Sequence, residues 1–204
     1  MRPRNFIIAF VAGAAIAVGL LFTLDLVGKK VVPVQATVLP AGNELPDFSL
    51  LNQDGDAIDR RIFEGQWDLV FFGFTHCPDV CPTTMAMLKQ VRERLASQGQ
   101  EPLPRIVLVS VDPERDTPEA IGKYVDYFGE GNLGITGDLT EIRKLTGDLG
   151  IYFAKIETDN DNYSVDHSSV VLVINPQGRF RALFSAPLSV DNFVHDLPLI
   201  IAMP

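Results

Sequence analysis

The 204-residue sequence predicts an α/β domain with a mixed sheet flanked by helices, set behind an N-terminal transmembrane helix. Three observations carry this. Phe6 to Leu24 is a run of 19 residues without a charge. Further on, two continuous apolar runs of strand length, Asp68 to Phe74 (DLVFFGF) and Ile106 to Val111 (IVLVSV), are each followed by a helical pattern, as expected of strands covered on both faces. Near the end, Ser169 to Ile174, the turn Asn175-Pro176-Gln177-Gly178 and Arg179 to Phe184 read as a hairpin, which adds antiparallel strands to the alternating set.

Taken in chain order, residues 1–30 read as a membrane anchor. A 19-residue helix spans roughly 28 Å at about 1.5 Å per residue, close to the hydrocarbon core of a bilayer. A cleaved secretory signal is the competing reading, with Arg2 and Arg4 as its basic start and Val34-Gln35-Ala36 as small residues for a peptidase. The apolar run is longer than a signal needs and that site lies far beyond its end, so an uncleaved anchor with the rest exported is preferred. Residues 31–43 (VVPVQATVLPAGN) read as a flexible tether with two prolines and a glycine, and residues 44–204 as the domain.

Within the domain, Phe48 to Asn52, Asp54-Gly55 and Ala57 to Asp59 suggest a short hairpin. Pro82 to Ser97 suggests a helix with proline in its first turn and Met87, Leu88, Val91 and Leu95 on one stripe. Thr117-Pro118-Glu119 is an N-cap followed by a first-turn proline, opening a helix that ends at Gly129. A helix over Thr140 to Leu149 and a strand over Ile151 to Ile156 follow. The last helix starts near Ser189-Val190-Asp191 and is expected to be disturbed by Pro198.

Composition excludes some functions. With 17 Lys and Arg against 26 Asp and Glu, a net charge of -9 and no basic stripe, the chain is not built to neutralise nucleic-acid phosphates. Two cysteines do not make a disulfide scaffold, and a chain of this size needs none.

The chemistry concentrates in Phe74-Thr75-His76-Cys77-Pro78-Asp79-Val80-Cys81-Pro82, an elbow between a buried strand and a helix that holds both cysteines. A thiolate at a helix N-terminus faces unpaired N–H groups and the macrodipole, so its pKa is expected to fall. Two uses fit. Cysteines this close can form a reversible disulfide, as in a dithiol-disulfide oxidoreductase. They can equally bind a soft ion, Cu(I) foremost, with an imidazole completing the site. Of the three histidines, His76 should point away from Cys77, and His195 reads as a surface or capping residue. His167, in the polar stretch Asp166-His167-Ser168-Ser169 before an apolar strand, is either a ligand or a satisfied loop histidine, with Asp166 as a candidate partner for its ring. Met85 and Met87 read as core rather than thioether ligands.

Three motifs in order, GFTHCPDVCP at Gly73 to Pro82, SVDPERDTPE at Ser110 to Glu119 and YSVDHS at Tyr163 to Ser168, make residues from about 45 to 200 resemble the Sco/SenC family of copper-binding assembly proteins for cytochrome c oxidase. The resemblance implies a thioredoxin-like fold, an N-terminal anchor, and copper, as Cu(I) and also Cu(II), held by Cys77, Cys81 and His167. It implies a bacterial inner-membrane protein with its domain in the periplasm. Its partners would be the copper-accepting oxidase subunit, a thiol reductant and a copper donor. Thioredoxin-type oxidoreductases, by contrast, resemble one another in a two-residue cysteine spacer and a facing cis-proline. Here the spacer has three residues, and no proline occurs between Pro118 and Pro176. The expected function is a copper chaperone; the alternative is a membrane-anchored reductase of the oxidase's copper-site cysteines using Cys77 and Cys81 as a redox pair. The SVDPERDTPE segment is expected either to fix a loop near the elbow or to serve only as turn and cap.

Overall fold

The computed structural model describes residues 32–157 and 163–203. The expected anchor, Phe6 to Leu24, lies outside the described residues, and among those residues no helix is long and apolar enough to cross a membrane. The described residues from Pro33 onward form one compact unit.

The strands are β1 (Thr37–Glu44), β2 (Leu50–Asn52), β3 (Ala57–Ile58), β4 (Asp68–Gly73), β5 (Arg105–Ser110), β6 (Leu133–Thr136), β7 (Phe153–Glu157), β8 (Tyr163–His167), β9 (Val170–Ile174) and β10 (Arg179–Ser185). The α-helices are α1 (Val80–Ser97), α2 (Pro118–Tyr127), α3 (Leu139–Asp148) and α4 (Val190–Ile201). Among the described residues, eight strands make one sheet in the order β1-β10-β9-β4-β5-β6-β2-β3, and β7 and β8 form a separate two-stranded hairpin. The expected mixed α/β fold is therefore present.

Parallel pairing of β4 with β5 and of β5 with β6 follows from the helices that connect them, α1 and α2. Every residue of β4 is buried, so both faces of this strand are covered and its continuous apolar run is explained. Asp68, at its start, is buried too, and meets Arg105 of β5 through two hydrogen bonds of 2.7 and 3.1 Å. On the far side β9 runs antiparallel to β4, with Phe71 opposite Val171. The entrance to β9 thus lies beside the exit of β4, where the cysteine elbow begins.

Thr117 caps α2 by accepting from the Ala120 N–H at 3.2 Å, with Pro118 in the first turn. Gly134 of β6 lies under α2: a Cβ there would come within 3.0 Å of Ile121, so glycine permits the close approach.

Three expectations give way. Thr37 to Asn43, assigned to the tether, form with Glu44 the strand β1 that pairs with β10, and the carboxylate of Asp196 on α4 accepts from the N–H groups of Val34, Gln35 and Ala36 at 2.8, 2.9 and 2.8 Å. The domain therefore begins about ten residues before Glu44. Helix α4 continues through Pro198 to Ile201, because Leu197 and Ile200 are fully buried on either side of the proline and their burial outweighs one missing hydrogen bond. The stretch leading to His167, expected as a loop, is strand β8.

Candidate metal centre

The elbow leaves β4 at Gly73 and enters α1 at Val80, two residues before the expected start at Pro82. Gly73 is needed there. A Cβ at this position would lie 2.9 Å from Cys81 Sγ and 2.8 Å from the Phe71 ring, inside any tolerable contact. The next residue but one, Thr75, is held by Asp116, which is fully buried. Asp116 accepts from the Thr75 N–H at 3.0 Å and the Thr75 hydroxyl at 2.6 Å, and from the Ser110 hydroxyl at 2.7 Å. His76 turns away from the cysteines as expected: its Nδ1 lies 3.0 Å from the Thr75 hydroxyl and 3.8 Å from Asp116.

The turn then brings Cys77 back over the first turn of α1, where the Cys81 N–H points at Cys77 Sγ at 3.4 Å. Cys77 is half-buried and Cys81 fully buried; both are free thiols. The expected fall in thiol pKa does not hold for Cys81. Its burial pushes the thiol strongly up, outweighing its place in the first helical turn, so an ion entering here must displace a proton from it.

His167 arrives from the other side, as the last residue of β8, and its Nε2 lies 3.5 Å from Cys81 Sγ. Phe71 and Phe74 meet its ring edge-on, with centroids at 5.7 and 6.0 Å. Burial pushes its pKa down, so the ring is neutral at neutral pH. The Ser168 carbonyl lies 3.3 Å from Nδ1, taking the place proposed for Asp166. A proton on Nδ1 donated to that carbonyl leaves the Nε2 lone pair facing the sulfurs.

The ligand atoms of Cys77, Cys81 and His167 all lie within 4.8 Å of one another. Two sulfurs and one imidazole suit a soft ion in a low-coordinate site, Cu(I) better than calcium or magnesium. The sequence singled out these three residues, and the structure brings them together. Met85 is fully buried and Met87 packs against the core, as expected. His195 pairs with Asp196 at 2.7 Å, far along the chain from the elbow. What sequence reasoning missed were the supports: Gly73, Ser168 and Asp116. All three lie in the motifs named above, Gly73 in GFTHCPDVCP, Ser168 in YSVDHS and Asp116 in SVDPERDTPE, but none carries by itself a sequence signal for a supporting role.

A thioredoxin-like α/β domain that gathers two thiols and an imidazole where a central strand gives way to a helix defines a class of soft-metal or dithiol proteins. This chain belongs to the SCO1/SenC family, whose family model matches residues 27–202. It is similar to the copper-bound ScoI of Arabidopsis thaliana, 31% identical with a TM-score of 0.73 over 77% of this chain and 97% of that one. Copper-bound ScoI of Bradyrhizobium japonicum is also 31% identical, with a TM-score of 0.64 over 77% of this chain and 99% of that one. The mouse mitochondrial SCO2 homolog is 37% identical over 152 residues, which make up 74% of this chain and 60% of that protein.

Proposed function

We propose that this protein is a copper chaperone that binds copper through the Cys77 and Cys81 thiolates and the His167 imidazole and delivers it to the dinuclear copper site of cytochrome c oxidase. The observation that carries the reading is the convergence of the three donor atoms within 4.8 Å. Copper in two similar structures supports it. The family supports the oxidase as acceptor, the apolar run Phe6 to Leu24 supports an inner-membrane anchor, and the resemblance to bacterial members of the family supports a domain in the periplasm. A disulfide between Cys77 and Cys81 would withdraw both sulfur donors, so the pair must be reduced before loading, by a thiol reductant of the same compartment.

The unequal burial of the cysteines favours a second role. Half-buried Cys77, with the Cys81 N–H directed at its sulfur, is placed to attack a disulfide of the acceptor. Cys81 would then displace the mixed disulfide, leaving an acceptor dithiol and a Cys77–Cys81 disulfide.

A Cu(I) competition titration of the reduced protein separates these roles. Cys77→Ala and Cys81→Ala should each abolish tight binding and His167→Ala should weaken it, and retention of wild-type affinity by any of them would refute the assigned site. His167→Ala should leave disulfide reduction intact; the opposite pattern, with copper affinity kept and thiol exchange lost, would make the protein a reductase.

A further inference from the structure

The SVDPERDTPE segment is not a ligand-bearing motif, yet each of its charged residues from Asp112 to Asp116 is committed to one end of the cluster or the other. Asp116 holds the elbow through Thr75, as described. The other three hold the β7–β8 hairpin that carries His167. Asp112 accepts from the Tyr163 hydroxyl at 2.7 Å and also pairs with Arg115. The Arg115 guanidinium lies over the Tyr163 ring at 3.8 Å and its Nη1 donates to the Tyr163 carbonyl at 3.3 Å. Lys155 of β7 lies over the same ring at 3.8 Å and is paired with Glu114 at 2.9 Å. Two cations over one ring, one of them backed by an almost fully buried carboxylate, make a specific latch.

The latch bears on His167 because of strand geometry. Successive side chains of a strand alternate, so Tyr163, Val165 and His167 share one face of β8, and Val165 is buried there. Among the described residues the hairpin has no pairing with the main sheet, so beyond its link to β9 its side-chain contacts set its pitch. Fixing Tyr163 at one end of that face fixes the imidazole at the other. Arg115 also lies 5.7 Å from the Phe74 ring, which meets His167 edge-on.

We infer that the 112–116 loop is a two-ended strut whose Asp116 positions the cysteine elbow and whose Arg115, with Asp112 and Tyr163, positions His167. Arg115 and Tyr163 are thus positioning residues for the imidazole and not ligands. The inference rests on the copper reading for its effect on affinity, and on the hairpin contacts alone for its effect on β8.

The test uses the full chain in two arms. In the reduced, metal-free protein, Arg115→Ala should speed amide hydrogen exchange of β7 and β8 by about tenfold or more while β4 and β5 are unchanged. Unchanged exchange in the hairpin would overturn the inference. In Cu(I) competition, Arg115→Ala and Tyr163→Leu should each weaken binding by roughly tenfold. Tyr163→Phe, which keeps the ring under both cations, should recover most of that loss. In a His167→Ala background Arg115→Ala should have no further effect, whereas Asp116→Asn, acting on the elbow, should still weaken binding. The Cu(II)-loaded Arg115→Ala protein should show reduced nitrogen hyperfine coupling in its electron paramagnetic resonance spectrum. An Arg115→Ala loss of the same factor with and without His167 would overturn the positioning role. If His167→Ala alone bound copper as tightly as wild type, the ligand assignment would fail, and the exchange arm would still decide the strut.

Discussion

Gly73 shows how one missing side chain sets the geometry of the site. The space a Cβ would take is filled by the Phe71 ring and by Cys81 Sγ, so Gly73→Ala must move one or both. Overpacking of this kind costs about 1–3 kcal/mol, and here the displaced atom is a proposed ligand. The expected outcome is a fall in denaturant stability of that order, together with weaker Cu(I) binding in the reduced protein; wild-type affinity in a destabilised variant would show that the sulfur tolerates displacement. The three ligand candidates were legible in the sequence because two thiols in one strand-to-helix elbow and a histidine beside an apolar strand are rare enough to stand out. The protonation of Cys81 was not legible. Its place in the helix argued for an easily ionised thiol, and only the packing of Gly73 and Phe71 around it reveals the burial that reverses the expectation.

At the scale of elements, the long buried strands and the capped helices were readable because each carries its own signal: apolar runs in β4 and β5, Thr117 with Pro118 at α2. The pieces that escaped, β1, β6 and β8, are short or polar, and their structure comes from partners far away in sequence. Strand β1 is the clearest case, since Val34, Gln35 and Ala36 are tied down by a carboxylate some 160 residues later. Burial works to raise the pKa of Asp196, but the backbone N–H groups and His195 outweigh it and hold the carboxyl below its ordinary value. A lowered pKa gives stability that is present above the unfolded value near 4 and lost as pH falls through the folded one. Asp196→Ala should therefore destabilise the domain at pH 7 by about 2 kcal/mol. The gap to wild type should shrink as acid unfolding is followed below about pH 4; a gap independent of pH would mean that packing, not the ionised carboxylate, holds β1. Amide exchange of residues 37–44 should quicken in the same variant.

At the scale of the molecule, the cluster joins parts of the chain that fold from distant stretches: the elbow, the first turn of α1 and the end of β8. No unfolded chain offers these donors together, so copper bound through all three stabilises only the native state. Thermal unfolding of the reduced protein should accordingly move upward with copper, by about 4 kcal/mol of added stability at a free concentration 1,000 times Kd. The protein with Cys77 and Cys81 oxidised to a disulfide should show no such shift. An equal shift in both forms would place the ion elsewhere.

The unequal burial of the two sulfurs also gives metal exchange a direction. Cys81 has no exposed surface, while Cys77 and His167 each present an edge. Among the described residues that would hold the proposed copper, Cys77 and His167 offer an acceptor's ligand its open side. If copper is held as proposed, those two bonds would be exchanged first and the bond to Cys81 would be the last to break.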